Sequence, residues 1–353
     1  MRQTFTKLWL QTFDIGRQMK IIWTGWQLKR MNGYGVVWRE LGCRLADYGI
    51  GIIDFWCEDW DLAVFLGYPK AFLLGKEAKR PDLVFHTMWE TDTLPDFWVP
   101  LLNRAGLVWT PSKFCAGVMR KAGVETEIAV TRYGVDCERF EYRKRDDDSQ
   151  FVFLAMGRIF GGRKGIGIVL RAFLQLRESG KLGDDARLVI KASKLPWDTV
   201  SHKGIYRDDV TLVTEKISNA DMVALYQDCD VFVYPTAGEG FALEPLEAMA
   251  TGACALVTNW SGPTEYIADG VCIPLEISGL APFRLEQFED RGNMAVVSVA
   301  EVREKMLWCY ENRDAARQIG VQAAQYVREQ WTWDMAAKQA AEMLKEYYRR
   351  IEI

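Results

Sequence analysis

Apolar residues in this chain fall into short continuous runs, separated by stretches in which they recur every three or four positions. The runs Met19–Gly25, Gly51–Phe55, Leu62–Leu66, Leu83–His86, Leu107–Trp109 and Ile128–Thr131 read as buried strands. Helical spacing lies between them: Val36, Val37, Leu41 and Leu45 share one side of a helix, and further helices are expected near 70–77, 95–104 and 113–122. Strands alternating with helices predict α/β architecture with a parallel sheet covered on both faces.

The run 141–150, EYRKRDDDSQ, is charged and lacks an apolar face, which marks a linker. A second α/β series follows at once. Its strands are expected at Phe151–Met156, Arg187–Ala192, 210–214, Val231–Tyr234 and Ala253–Thr258. Helices are expected at 165–179, 219–227 and 242–251, with a short one at Pro263–Ala268 and long amphipathic ones at 299–318 and 334–351. The division is therefore 1–18 as an extension, 19–145 and 146–330 as two Rossmann-like α/β domains with a cleft between them, and 331–353 as a terminal helix. In the extension, Phe5, Leu8, Trp9 and Phe13 fall at helical spacing among Arg2, Lys7 and Arg17, a pattern suited to packing on the domain or to lying on a membrane surface.

Composition narrows the class. With 353 residues, 49% hydrophobic and 26% charged, the chain has length for two cores and excludes a disordered or fibrous protein. Eight cysteines without C-x-x-C spacing and two histidines predict a reduced, cytoplasmic protein without a zinc site. No apolar run reaches the roughly 20 residues of a membrane helix, and no signal-peptide pattern is present. The expectation is a cytoplasmic protein, with peripheral membrane contact open. Net charge is −4: residues 1–145 hold 21 Lys and Arg against 17 Asp and Glu, and residues 146–353 hold 23 against 31. So small a positive excess in front gives no nucleic-acid footprint. The sequence sets no oligomeric state.

Candidate chemistry concentrates in two places. Residues 231–252, VFVYPTAGEGFALEPLEAMATG, read as strand, turn and helix, which is where open α/β sheets place ligands. Glu239 in the turn and Glu247 two helical turns on offer charge-assisted hydrogen bonds to sugar hydroxyls. Residues 157–165, GRIFGGRKG, follow a strand and open a helix, gathering Arg158, Arg163 and Lys164 among four glycines. Glycines admit a phosphate to backbone N–H groups, and the cations hold its oxygens. The spacing is not a Walker A loop, and by itself the segment also fits a solvated turn.

Taken in order, these motifs resemble the large family of retaining glycosyltransferases with two Rossmann-like domains, family 4 with the GT-B fold. Further similarity lies in Trp109-Thr-Pro-Ser-Lys-Phe114, Tyr133-Gly-Val-Asp136, Ser218–Asp230 and Ser261-Gly-Pro-Thr-Glu265, and the resemblance covers roughly residues 20–345. It implies that the first domain faces the acceptor and the second binds a nucleotide diphosphate sugar, with the last helix crossing back to the first domain. Arg158 and Lys164 would hold the diphosphate and stabilise it as it leaves. Glu247 would bind the ribose and Glu239 the transferred sugar. Backbone amides of Gly240, Phe241 and Ala242 would touch sugar or phosphate, and Glu265 would lie near the nucleotide. Arg163 would share the phosphate or face water, and Glu244 would face solvent.

In the front domain the resemblance implies that Gly33 and Gly35, in Asn32-Gly-Tyr-Gly35, approach the donor phosphate and that His86 stands beside the reacting sugar. Glu90 would orient His86 or bind an acceptor hydroxyl. Trp56, Trp60 and Trp89 would stack on a sugar or belong to the core. The implied reaction is transfer to a hydroxyl with retention, by front-face displacement without a protein nucleophile. No metal or other cofactor is required, because Arg158 and Lys164 neutralise the diphosphate. The acceptor, whether glycan, lipid-linked sugar, small metabolite or modified base, is not specified. Two rivals share the scaffold: a phosphorylase or nucleotide-sugar epimerase, and a nucleotide-sugar-binding protein without turnover.

Overall fold

The computed structural model describes residues 19–25, 33–53, 59–70, 79–145, 150–157, 162–192, 207–282 and 292–352. The extension 1–18, Trp56, Arg158 and nearly all of the expected helix at 70–77 lie outside them.

Two parallel sheets of six strands form the frame. The first has the order β2-β1-β3-β4-β5-β6, built from β1 (Met19–Gly25), β2 (Ile50–Ile53), β3 (Leu62–Leu66), β4 (Arg80–His86), β5 (Ala105–Thr110) and β6 (Ile128–Val130). The second has the order β12-β11-β10-β7-β8-β9, from β7 (Phe151–Gly157), β8 (Ala186–Ala192), β9 (Val210–Val213), β10 (Val231–Tyr234), β11 (Cys254–Thr258) and β12 (Ile273–Leu275). Their near-continuous apolar runs follow from burial on both faces; every residue of β10 and of β11 is buried. The α/β expectation with two parallel sheets holds.

Helices cover the sheets: α1 (Gly33–Leu45), the short α2 (Val99–Leu102) and α3 (Lys113–Lys121) in the first unit, then α4 (Ile166–Glu178), α5 (Asn219–Asp228) and α6 (Glu244–Ala250) in the second. Ser112 caps α3 by accepting from the Cys115 N–H, and Ser218 caps α5 in a reciprocal box with Asp221. An antiparallel hairpin of β13 (Gly279–Pro282) and β14 (Asn293–Val296) was not signalled by the sequence pattern.

The helix expected over 299–318 is two helices, α7 (Val299–Glu311) and α8 (Arg313–Gln330), broken at Asn312 with φ −121° and ψ 52°. The buried face of α8 is mostly small, Ala316, Gly320, Ala323, Ala324 and Val327, so its apolar period is faint. Close approach explains the small residues: a Cβ on Gly320 would stand 2.1 Å from the Gly252 carbonyl oxygen.

The last helix, α9 (Trp333–Ile351), returns to the first unit and packs on α1. Tyr347 donates to the Pro81 carbonyl at 2.6 Å, Tyr348 to Asp61 at 2.9 Å, and Arg350 meets Glu127 at 2.8 Å. The units also touch directly. Ser112 donates to the Gly240 carbonyl at 2.8 Å, Asn293 donates to both oxygens of Asp92 at 2.7 and 3.0 Å, and the Phe114 and Trp260 rings lie 5.0 Å apart. The carboxyl ends of β4 and β10 thereby face one another across the junction.

Candidate functional site

Lys164 stands just before α4, whose N-cap, Gly165, is left-handed at φ 68°. A Cβ there would also lie 2.3 Å from the Pro235 carbonyl oxygen, so only glycine lets this turn press against the end of β10. The Lys164 ammonium meets Glu239 Oε1 at 2.9 Å and Glu244 Oε1 at 2.8 Å, and also donates to the Tyr234 hydroxyl. Arg163 reaches the same Glu239 oxygen at 2.7 Å and the Gly238 carbonyl at 2.7 Å. Tyr234 and Thr236 donate to Glu239 Oε1 as well, at 3.1 and 3.0 Å.

Burial alone would push the Lys164 pKa down, but Glu239 and Glu244 outweigh it and raise it. For Glu239 burial opposes ionisation, and Arg163 and Lys164 overcome it and hold the carboxylate well below its ordinary range. Two cations and an ionised carboxylate are thus fixed at a strand's carboxyl end, where a charged guest would meet preorganised partners.

The loop from Glu239 to α6 is locally strained. Ala242 has φ 73° and Ser261 φ 61°, both left-handed for side chains that disfavour it, at about 1–3 kcal/mol each. The Ser261 hydroxyl accepts from the Glu239 N–H at 3.0 Å, and the Glu239 carbonyl accepts from the Gly262 N–H at 2.9 Å, so the two bends hold each other. Phe241 is buried, 5.1 Å from the Tyr133 ring and 5.8 Å from Tyr266.

Several expected residues converge here and others are used differently. Glu244 is not a solvent-facing helix residue: it is a partner of Lys164. Arg163 faces Glu239, not open water. Glu265 accepts from the Lys113 N–H at 2.6 Å, which ties it to the start of α3 in the opposite unit. Glu247 is half-buried and accepts from the Tyr226 hydroxyl at 2.9 Å. Burial, then Glu244, pushes it up to about 7. A carboxyl raised in the folded state contributes stability that is full below its ordinary value and is lost as pH rises through about 7. In thermal denaturation of the ligand-free protein, the advantage of Glu247→Gln over wild type therefore widens between pH 5.5 and 8; a constant difference would contradict the assignment.

In the first unit, α1 begins at Gly33, where a Cβ would meet open space. Tyr34 interacts electrostatically with Tyr68, Glu90 and Tyr133, which brings the glycine-rich start of α1 to the loop after β4. Gly35 is buried behind it. His86 is fully buried, stacked on Trp109 at 3.7 Å, with Nε2 2.8 Å from the Tyr133 hydroxyl. Burial pushes its pKa well below the ordinary value, so the ring is neutral. Trp89 is core, its Nε1 donating to Thr91 and the Thr93 carbonyl at 2.7 Å each, and Trp60 is half-buried.

Asp59-Trp60-Asp61 has the spacing of a metal-binding pair, but Asp61 accepts from the Lys20 N–H at 2.7 Å and from Tyr348, while Asp59 pairs with the Lys20 ammonium. Among the described residues no group of three or more His, Cys, Asp or Glu is arranged to hold a metal ion. Nor is any described helix long and apolar enough to cross a membrane.

A groove of about 660 Å³ opens between α1 and α5, lined by Arg39, Arg139, Asn219, Ala220, Val223 and Gln227. Arg139 also acts electrostatically on Glu247, so the groove adjoins that carboxyl. Neither arginine stood out in the sequence, because each lies in an ordinary charged stretch and gains meaning only when the units face each other.

Two parallel α/β units meeting at a nest of cations and carboxylates define a GT-B protein. Residues 150–281 match the family described as Glycosyl transferases group 1. The chain is 30% identical over 223 residues to a putative colanic acid biosynthesis glycosyltransferase, WcaL, of Escherichia coli K12, covering 58% of this chain and 53% of that protein. Over 56 residues it is 43% identical to the Escherichia coli serotype-specific mannosyltransferase WbdA, which is 16% of this chain and 7% of WbdA. The chain thus spans about half of the first relative and a small part of the second. Among solved structures, HepE of Anabaena in complex with UDP and glucose superposes with a TM-score of 0.69 at 17% identity, over 93% of this chain and 100% of that one. Sucrose-phosphate synthase of Thermosynechococcus elongatus gives a TM-score of 0.72 at 14% identity, over 94% and 100%. At these identities the likeness is one of fold.

Proposed function

We propose that this protein is a retaining, metal-independent glycosyltransferase of the family 4 type that moves a sugar from a nucleotide diphosphate sugar to a hydroxyl of an acceptor. The observation that carries the proposal is the pinning of Lys164 and Arg163 on Glu239 and Glu244 at the carboxyl end of β10, beside the start of α4. These carboxylates balance the cations, and an arriving diphosphate takes over part of that charge. Lys164, with Arg158, then stabilises the charge that develops on the leaving diphosphate. Glu247 takes the ribose hydroxyls and Glu239 the hydroxyls of the transferred sugar. The amides around the strained Ala242 contribute further donors. A neutral His86 sets Tyr133 and the loop after β4, and so acts as a positioning residue. With the diphosphate neutralised by side chains, no metal is needed.

The UDP, UDP-glucose and glucose complexes described for HepE agree with a nucleotide-sugar donor, and the named relatives are glycosyltransferases. A cytoplasmic location, where nucleotide sugars are available, fits the free cysteines among the described residues. The proposal is tested by thermal shift with UDP, GDP and ADP. One of them should raise the melting temperature of the wild type saturably, by an amount equivalent to about 2.7 kcal/mol at a hundred times Kd. The shift should be lost in Lys164→Ala. Absence of stabilisation by all three would overturn the donor site.

A further inference from the structure

The loop that follows β4 carries buried polar atoms without a hydrogen-bond partner. His86 Nδ1, Thr87 Oγ1 and Glu90 Oε2 are three such atoms within five residues. Folded proteins rarely leave buried acceptors unmatched, and an orphaned carboxylate oxygen is the most costly of the three. Glu90 is also the one whose surroundings lead to the site. Burial pushes its carboxyl up, against the pull of Arg163 and Lys164 and with a further push from Glu239, all three from the opposite unit, and it acts in turn on Tyr34 and Tyr68.

The backbone fixes this approach. A Cβ on Gly238 would lie 2.2 Å from the Glu90 carbonyl oxygen, and one on Gly240 would lie 2.7 Å from the Met88 side chain, so the two loops are in contact along their length. Cys115 accepts from the Trp89 N–H at 3.4 Å, and Ser112 grips the Gly240 carbonyl, holding the loop from behind. Glu239 Oε1 already accepts from Arg163, Lys164, Tyr234 and Thr236. Glu90 Oε2 accepts from none. Beside this charged junction, Glu90 has unused acceptor capacity, and it is supplied by the front unit.

We propose that Glu90 is a donor-sugar ligand, accepting a hydrogen bond from a hydroxyl of the transferred sugar and closing from the front unit the pocket that Glu239 forms from the rear. The inference rests on the nucleotide-sugar proposal above and adds a specificity-determining residue to it. A sugar hydroxyl is the matching group: it is neutral, it donates, and it arrives with the diphosphate whose cations lie beside Glu90. Bare nucleoside diphosphate lacks it.

The test uses the full chain. Whichever of UDP-glucose, GDP-mannose and ADP-glucose stabilises wild type most is titrated calorimetrically, alongside its nucleoside diphosphate, against wild type, Glu90→Gln and Glu90→Ala. Glu90→Ala is expected to weaken the sugar nucleotide by about tenfold or more, the range for a hydrogen bond to a charged group, with the nucleoside diphosphate unchanged. Glu90→Gln, which keeps an acceptor oxygen, falls between. Because Glu90 Oε2 has no hydrogen-bond partner to lose, Glu90→Gln should melt no lower than wild type, which separates a ligand-binding role from a structural one. Equal weakening of sugar nucleotide and diphosphate, or no weakening of either, overturns the inference while leaving the donor site standing. Failure of every nucleotide to bind wild type overturns the donor site, and the inference with it.

Discussion

Replacing Lys164 by alanine lowers turnover of the donor by about 10²–10³-fold, the loss seen when one preorganised stabiliser of transition-state charge is removed. Its ammonium is held by Glu239, Glu244 and Tyr234 and cannot be substituted by a mobile side chain. The fold should survive. Arg163 still pairs with Glu239, and the side chain of Glu244 is 33% exposed, so water replaces its lost partner. Steady-state rates with equal far-UV circular dichroism check this, and near-normal turnover would remove Lys164 from the site. Lys164→Arg is not expected to rescue, because a planar fork does not fit a point-charge position between two carboxylates and a phenol.

The second large effect comes from a residue that needs no contact with substrate. Gly238→Ala is expected to lower turnover about 10²-fold, the penalty for displacing reacting groups by about 1 Å. The added Cβ would stand 2.2 Å from the Glu90 carbonyl oxygen and 2.9 Å from the Trp260 ring, so the two loops must part. Gly167→Ala, where nothing lies within 4 Å of the new atom, is the control and should leave the rate unchanged. Equal rates for both variants would show that contact between the Gly238 and Glu90 loops does not position the chemistry.

Much of the architecture was readable because parallel strands buried on both faces stand out as apolar runs. Met19–Gly25, Leu62–Leu66 and Val231–Tyr234 fall where the pattern put them. The break at Asn312 was not, since a helix can turn there without proline or glycine and the following helix buries alanines and a glycine. The β13 and β14 hairpin lacked signal because Leu280 and Val296 remain exposed, which removes the alternation that marks a half-buried strand. At the site, motif order assigns Lys164 to the diphosphate and Glu239 to the transferred sugar, and the fold brings the two, 75 positions apart in sequence, within 2.9 Å. It misplaced Glu244, because whether a residue in the first turn of a helix faces water depends on what folds against it. It was silent on the pairing of Asp92 with Asn293 and on Arg39 and Arg139, which line a groove together with residues of α5.

The central claim is tested most directly by incubating the purified protein with UDP-, GDP- and ADP-sugars, with and without inorganic phosphate, and following free sugar and nucleoside diphosphate over long times. Slow release of nucleoside diphosphate from one donor, independent of phosphate and abolished in Lys164→Ala, is the predicted result. Consumption of phosphate with formation of a sugar phosphate, or cleavage that persists in Lys164→Ala, would contradict it.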